Sequence, residues 1–267
     1  MVYMVLGLTG VLLASLERLP GLRFRTAPFF RSFFASDVFY LLTGYVVGTS
    51  LTIAFIVSAS AALGSLGVPR LSALQLPLWI GAPVALIGLD LGNYVAHWGM
   101  HRSDTLWEIH KVHHSSRTLD WLATFRSHFL EQTLRRLLAP FALILVGVPI
   151  EATLLGASVF NAWAMFIHSN LSLDLRAIES VLVTPRLHRV HHDPATTHKN
   201  FGTVLSLWDR LLRDSFITRD VARDVRFGIP DEVTTYPQGW GRQLIEPFRR
   251  IAGGRASATA LRGATHA

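Results

Sequence analysis

The sequence predicts an all-α integral membrane protein, a helical bundle of about four spans or hairpin arms that carries a histidine-rich cap. The first observation behind this prediction is composition: 50% of the 267 residues are hydrophobic and only 16% are charged, whereas soluble domains carry about 25% charged residues. The second is that several apolar stretches approach the ~20 residues that a helix needs to cross a bilayer. The third is the distribution of the 12 histidines, of which eleven lie between His97 and His198.

Composition also excludes several classes of protein. The chain contains no cysteine, which rules out disulfides, thiolate zinc sites, cysteine-ligated iron–sulfur clusters and cysteine nucleophiles. The formal net charge is +7, and in a soluble protein this charge would suggest nucleic-acid binding. Here the arginines crowd the ends of apolar stretches, so we expect contact with anionic lipid headgroups and no nucleic acid.

Residues 1–79 are predicted to form the N-terminal membrane helices and a basic loop. The stretch 1–16 is apolar and lacks a basic start and a small-residue cleavage site, which favours a membrane helix over a cleaved signal. The clearest span covers residues 38–62. The four arginines of the segment 17–37 place that loop in the cytoplasm by the positive-inside rule.

Another span is predicted over residues 78–97, and it returns the chain to the cytoplasmic side. Residues 137–168 are predicted to form a helical hairpin that breaks at Pro149 and comes back to the same side. The protein is therefore predicted to be a multi-pass membrane protein with its histidine-rich cap in the cytoplasm. The C-terminal part is predicted as a cap or surface helix over 216–252, followed by a disordered tail over 253–267.

The histidines fall into three clusters with helical spacing. Residues three and four apart share one face of a helix, so each cluster is predicted to present its imidazoles on one side. The members are His97 and His101; His110, His113 and His114; and His188, His191 and His192. Neutral imidazole is the commonest protein metal ligand and suits iron, zinc, copper and nickel. The clusters therefore predict a polynuclear metal site in the cap, and His168, at the end of the hairpin, is eligible as a ninth ligand.

Local signals place the second and third clusters on short helices of their own. His101 and His110 are nine residues apart, which is half a turn out of phase, so the helix must break between them. Thr105 and Glu108 have the spacing of a capping box for the next helix. The Thr-Pro pair at 184–185 is a strong start for the helix that carries the third cluster.

Asp90 interrupts the apolar run that precedes His97. An acidic residue inside a span is costly and marks a functional position by default. It shares the face of His97 but lies ~10 Å away along the axis, so its expected role is a hydrogen bond to a ligand from another helix. The alternative is an interfacial carboxylate that simply reaches water.

Other interpretations account for less of the pattern. A haem-carrying membrane cytochrome needs axial histidines deep in facing helices, whereas here several cluster near helix ends. An intramembrane zinc protease needs a glutamate base, as in His-Glu-x-x-His, and the stretch from His97 to His101 has none. A non-catalytic, histidine-rich membrane metal-binding or transport protein is the alternative to an enzyme, and reductant-dependent O2 consumption distinguishes the two.

An ordered set of motifs runs through roughly residues 80–215. The motifs are Asp90, His97-x3-His101, Leu106-Trp107, His110-x2-His113-His114-Ser115, Arg126-x-His128, His168-x-Asn170, Pro185-x2-His188-x2-His191-His192, Asn200-Phe201-Gly202 and Trp208-Asp209-Arg210. This set resembles the fatty acid hydroxylase/sterol desaturase superfamily. Asp120 and Phe201 depart from it, since many members carry asparagine and tyrosine there.

The resemblance implies a di-iron domain over residues 80–215, in which histidines hold two iron ions. The implied ligands are His97, His101, His110, His113, His114, His168, His188, His191 and His192. It also implies candidates for residues that orient these ligands, namely Asp90, His128, Asn170 and Asn200. Zinc can replace iron on purification, because it generally binds nitrogen ligands more tightly than Fe(II).

The resemblance further implies an enzyme that uses O2 and two electrons to hydroxylate or desaturate a lipid drawn from the bilayer. Hydroxylation, desaturation and ether-bond oxidation share these histidine boxes, and the lipid is fatty acyl, sterol-like or related. No dinucleotide fingerprint is present, so a cytochrome b5-like protein or a ferredoxin is expected to supply the electrons. Lys111, Arg189 and Lys199 suit a docking face for such an acidic donor, or are ordinary interfacial charges.

Overall fold

The computed structural model describes residues 1–67, 76–214 and 227–254, and no β-strand is present in these ranges. The prediction of an all-α membrane bundle is confirmed. The helices are α1 Val2–Leu16, α2 Phe34–Phe39, a π-helix Tyr40–Val47, α3 Gly48–Ser65, α4 Leu78–Arg102, α5 Asp104–His114, a 3-10 helix Trp121–Phe125, α6 Phe129–Val146, α7 Ile150–His168, α8 Pro185–His191, α9 Leu207–Leu211, α10 Trp240–Gln243 and α11 Glu246–Ala252.

Three helices are long and apolar enough to cross a bilayer, namely the continuous helix Phe34–Ser65, α4 and α7. Helix α1 is also apolar, but it has only 15 residues. Large apolar side chains point away from the protein on several of these helices, as at Val11, Leu51 and Trp79. This exposure is what a lipid environment favours, since apolar surface facing hydrocarbon carries no penalty.

Helices α6 and α7 form the predicted hairpin, and its break falls around Pro149. Gly147 lies in this break with a φ of +89°, a conformation that glycine adopts without steric cost. Helix α6 begins at Phe129, earlier than predicted. The prediction followed the apolar residues only, whereas the first turns of this helix contain charged side chains that are buried in the protein. Arg136, for example, donates a hydrogen bond to the carbonyl of Gly44 at 2.7 Å.

The predicted break between the first two histidine clusters is confirmed, since α4 and α5 are separate helices. The residue that caps α5 is Ser103, whose Oγ accepts a hydrogen bond from the Leu106 N–H at 3.4 Å. The predicted cap at Thr105 is therefore wrong by two residues, because the extended backbone of Ser103 already ends α4. Thr184 caps α8 as predicted, with Pro185 at the first helical position.

Helix α4 packs against α6 and α7 through small residues. A Cβ at Gly92 would lie 2.4 Å from the Cβ of Ala139 on α6, and one at Gly156 would lie 2.9 Å from the backbone nitrogen of Leu86. Small residues let helices approach closely, which drives their association in a membrane. This packing fixes the end of α4, and with it His97, relative to α7.

Gly156→Val is expected to lower the thermal unfolding midpoint of the detergent-solubilised protein by several degrees. The new side chain would press on the backbone of α4, and such overpacking costs about 2 kcal/mol. Gly7→Val is the matched control, because Gly7 also lies in an apolar helix but nothing lies within 4 Å of its would-be Cβ. Equal shifts in both variants would contradict the packing argument.

The described C-terminal segment, residues 227–254, folds back over α5. Ile229 and Tyr236 form a small apolar cluster with Trp107 of that helix. Within the segment predicted as a cap or surface helix, the described residues carry two short helices, α10 and α11. The predicted disordered tail lies outside the described residues from position 255 onward.

Candidate metal centre

Nine buried histidines meet at one end of the bundle in two groups. The five-histidine group contains His97, His101, His110, His114 and His191, and the four-histidine group contains His113, His168, His188 and His192. Within each group, ring nitrogens, one from each residue, all lie within 4.8 Å of one another. None of the nine residues is more than 5% exposed. The structure thus brings together all nine histidines that the sequence singled out.

The short helices α5 and α8 each contribute histidines to both groups. Adjacent positions of a helix differ by ~100° in direction, so His113 and His114 point into different groups although they are neighbours. Likewise α8 sends His191 into the five-histidine group and His188 and His192 into the other. The prediction that each cluster faces one side is therefore wrong for the second and third clusters, because α5 and α8 lie between the two groups.

Backbone carbonyls orient four of the rings through Nδ1. The pairs are His97 with Phe201 (2.8 Å), His113 with Arg126 (2.9 Å), His168 with Ala164 (2.7 Å) and His191 with Lys199 (2.8 Å). A carbonyl only accepts hydrogen bonds, so Nδ1 of each ring carries the proton and Nε2 keeps a lone pair. The tautomer is thereby fixed, and Nε2 is the atom available to a metal ion.

All five Nε2 atoms of the five-histidine group lack a hydrogen-bond partner among the described residues. In the four-histidine group, the Nε2 atoms of His113 and His168 lie 3.2 Å apart, although neither carries a proton. Facing lone pairs repel each other, and a bound cation relieves that repulsion. The donor set of each group therefore fits a metal ion.

Burial keeps the imidazoles outside the membrane spans neutral. It lowers the pKa of His113, His114 and His188 well below the usual range, and the neighbouring histidines lower it further, because a second positive charge in the cluster is repelled. The neutral imidazole is the form that binds a metal ion. These imidazoles are thus in the ligating protonation state at neutral pH.

A carboxylate that sequence reasoning missed also reaches the site. Glu131 is buried near the start of α6, and its Oε1 lies 3.0 Å from Nδ1 of His110 and 3.2 Å from a guanidinium nitrogen of Arg135. A carboxylate behind an imidazole orients the ring and raises its basicity. The only signal in the sequence was an acidic residue three positions after His128.

Asp90 anchors the segment that follows the third histidine cluster, and its described partners include no histidine. Its carboxylate accepts hydrogen bonds from the backbone N–H groups of Val204 (2.8 Å) and Leu205 (2.9 Å) and from the indole of Trp208 (2.9 Å). The predicted hydrogen bond to a ligand is therefore wrong. The role of Asp90 is indirect, because the anchored segment contains Phe201, whose carbonyl orients a ring of the five-histidine group.

Three further predicted candidates contact backbone carbonyls of neighbouring segments. The pairs are His128 with Leu244 (3.2 Å), Asn170 with Arg25 (2.7 Å) and Asn200 with Leu187 (3.4 Å). For His128 and Asn170 the prediction of direct contact with a ligand is wrong, because these contacts tie chain segments together. Asn200, with a φ of +59°, lies between Lys199 and Phe201, whose carbonyls orient two of the rings.

Two of the three cations predicted to form a docking face are buried. Lys111 is 1% exposed, and its Nζ pairs with Glu108 (2.6 Å) and Glu232 (2.9 Å). Arg189 is 2% exposed, with the ring of Phe227 stacked on its guanidinium. A docking face built from these residues is therefore wrong, because the C-terminal segment covers both side chains.

The two departures from the family pattern have structural roles. Asp120 pairs with Arg31 at 2.5 Å and caps the 3-10 helix through the N–H groups of Leu122 and Ala123. Phe201 is fully buried, and its ring centroid lies 5.0 Å from that of His101. Its ring therefore fills space directly beside the five-histidine group.

An apolar cavity of about 180 Å³ lies among α1, α3, α4, α6 and α7. Two of its lining residues sit one helical turn before a histidine of the site. Asn93 precedes His97 on α4, and Ala164 precedes His168 on α7. The cavity thus approaches the histidine groups from within the bundle.

Comparison with known proteins gives one family and several relatives. The family model for fatty acid hydroxylases matches residues 82–214. The ornithine lipid hydroxylase OlsE of Rhizobium tropici is 30% identical over 178 residues, which are 66% of this chain and 53% of that protein. The alkylglycerol monooxygenase of Danio rerio is 34% identical over 135 residues, which are 48% of this chain and 29% of that protein.

The alkylglycerol monooxygenase of Homo sapiens is 30% identical over 130 residues, which are 48% of this chain and 28% of that protein. The chain therefore spans about half the length of the first relative and less than a third of the other two. No solved structure matches the chain.

Proposed function

Because the chain belongs to the fatty acid hydroxylase family, we propose that it is an O2-dependent lipid hydroxylase of the membrane. The observation that carries this proposal is the pair of buried histidine groups beside an apolar cavity. Hydroxylation is preferred to desaturation, since the matched relatives are named as a hydroxylase and as monooxygenases.

We propose that each histidine group holds one iron ion, so that the nine histidines serve two ions per chain. Imidazole ligands suit iron, and zinc can take its place on purification. When bound, a two-iron centre supplies the oxidant that an unactivated C–H bond requires, since no side chain provides one. The protein contributes orientation, through the carbonyls of residues such as Phe201 and Arg126, and exclusion of water, through burial of every ring.

The apolar cavity is proposed to hold the hydrocarbon chain of the substrate. Ala164 supports this placement, because it lines the cavity and its carbonyl also orients His168. A chain in the cavity would lie about one helical turn from the four-histidine group. The names of the matched relatives, which refer to an ornithine lipid and to alkylglycerols, favour a membrane lipid as the substrate.

We place the histidine groups on the cytoplasmic side of the membrane. The basic loop after α1 supports this orientation by the positive-inside rule. Glu17, at the start of that loop, accepts a hydrogen bond from the N–H of Asn170 at 2.8 Å, and Asn170 lies two residues beyond His168. The electrons are proposed to come from a cytochrome b5-like protein or a ferredoxin, because the sequence lacks a dinucleotide fingerprint.

Side-by-side expression of the protein and of His191→Ala tests the proposed function. Iron and zinc are counted per chain, and total lipids are compared by mass spectrometry after a reductant and a donor protein are supplied. We expect about two metal ions per chain and the gain of one oxygen in one lipid class, seen only with the intact protein. Loss of two hydrogens would instead identify a desaturase. Bound metal without O2 consumption would favour the metal-binding or transport alternative.

A further inference from the structure

A second cavity, of about 50 Å³, is lined by arginines, and we term it the arginine pocket. Its charged lining consists of Arg18, Arg25, Arg117 and Arg189, with Glu17 and Asp120. Two features place it beside the four-histidine group. Arg189 follows His188 directly in α8, and Asn170, which also lines the pocket, lies two residues beyond His168.

Arg189 is a buried cation with one guanidinium nitrogen left without a hydrogen bond among the described residues. It is 2% exposed, and its Nη1 has no hydrogen-bond partner in the part of the chain that the structure describes. Its guanidinium lies between the rings of Phe24 (4.4 Å) and Phe227 (4.7 Å). A guanidinium stays positive at neutral pH. A buried donor without an acceptor is costly, and an anion in the pocket would supply the missing acceptor.

The two acidic residues of the pocket do not neutralise it. Asp120 is engaged by Arg31, through Nε at 2.5 Å and Nη2 at 2.8 Å. Glu17 accepts hydrogen bonds from the backbone N–H groups of Trp121 (3.0 Å) and Asn170 (2.8 Å). Burial raises the pKa of the Glu17 carboxyl to about 7. The described lining of the pocket, with four arginines and two acidic residues, therefore carries more positive than negative charge.

The surroundings of the pocket indicate that its occupant comes from the bilayer. The loop beside it exposes Phe29, Phe30 and Phe33, at 45%, 76% and 42%. Arg18 stacks over the Phe29 ring at 4.2 Å. Exposed aromatic side chains next to arginines are typical of the membrane–water interface. A lipid headgroup at this depth is therefore favoured over a free anion from water.

We propose that the arginine pocket binds the phosphate or carboxylate of the lipid substrate's headgroup. A guanidinium forms paired hydrogen bonds with either anion. This inference rests on the proposed function and narrows it, since the substrate is then an anionic or zwitterionic lipid and not a neutral glyceride. Because Arg189 and His188 are consecutive in α8, a headgroup held here places the oxidised carbon close to the headgroup.

The test measures binding separately from turnover. Purified protein in dodecyl maltoside is titrated with lauroyl lysophosphatidic acid, N-lauroylglycine, monolauroylglycerol or inorganic phosphate, and the thermal unfolding midpoint is followed. We expect both anionic amphiphiles to bind at least about tenfold more tightly than the neutral one. Arg189→Gln should remove this preference and retain the metal content. Arg242→Gln, at an exposed position on α10, is the matched control and should keep the preference.

Arg18→Gln serves as a second variant if Arg189→Gln does not fold. Arg18 is exposed, lines the pocket and lies outside α8, so its loss should weaken anionic binding by about threefold. Equal binding of neutral and anionic amphiphiles would overturn the proposal. Inorganic phosphate that binds as tightly as the amphiphiles would also overturn it, because the ligand would then be a free anion. If the protein prefers the anionic amphiphiles but oxidises no lipid, only the proposed function is contradicted. If it oxidises a lipid but shows no such preference, only the assignment of the arginine pocket is contradicted.

Discussion

His188→Ala is expected to abolish turnover and to lower the metal content from about two ions per chain to about one. His188 belongs to the four-histidine group, so only three nitrogen donors remain there after the substitution. Its Nε2 lies 2.9 Å from that of His168 and 3.1 Å from that of His192, so its loss removes the ligand between these two rings. Metal analysis and lipid mass spectrometry on the same preparation check both expectations.

His101→Ala gives the informative contrast. The five-histidine group then keeps four nitrogens, which is the number that a tetrahedral site uses. We expect this variant to retain more metal than His188→Ala, while turnover falls by more than about 100-fold. His198→Ala is the control, because this ring lies 5.5 Å from that of His101 but belongs to neither group. Metal loss in the control equal to that of His188→Ala would contradict the division into two groups.

Asp90→Ala is expected to lower the free energy of unfolding by about 3–5 kcal/mol, because hydrogen-bond donors lose their acceptor. The substitution leaves three donors without their acceptor, the buried N–H of Val204 and the partly buried N–H of Leu205 and indole of Trp208. The released segment includes Phe201, so a ring of the five-histidine group loses its orienting carbonyl. We therefore expect the thermal unfolding midpoint to fall by roughly 10 °C, together with a lower metal content.

Glu151→Ala is the matched control for Asp90, because Glu151 is an acidic residue on α7, a helix that packs against α4, but is exposed. Its removal should change the midpoint by no more than a few degrees, since it loses only a favourable charge at the start of α7. Asp90→Asn keeps the shape of the side chain but replaces one acceptor with donors, so we expect an intermediate shift. An unchanged midpoint in Asp90→Ala would contradict the anchoring role.

Most of the local features of this protein could be predicted from the sequence. Helical spacing alone places His97 and His101 on one face of α4. The chemistry of helix starts is equally local, and it identifies Thr184 and Pro185 as the beginning of α8. The turn before α7 follows from Gly147 and Pro149 together, since Pro140 lies inside α6 without ending it. These features need no knowledge of how the helices pack.

Features that depend on packing could not be predicted. The division of His113 and His114 between two groups is set by where α5 lies relative to the other helices. The role of the Phe201 carbonyl leaves no signal in the sequence, because every residue has a backbone carbonyl. The burial of Lys111 depends on Glu232, which is 121 residues away in the chain. In each case the deciding partner comes from a distant segment.

The order of synthesis determines when the centre can be completed. Helix α8 is the last histidine-bearing element of both groups, and it contributes to each of them. A nascent chain emerges from its N-terminus, so α4, α5 and the hairpin of α6 and α7 are made before any residue of α8. Neither group is complete while α8 is still within the ribosome, even when the earlier helices have already entered the bilayer. The two-group centre is therefore a late product of biogenesis, and both halves are finished by the same seven-residue helix.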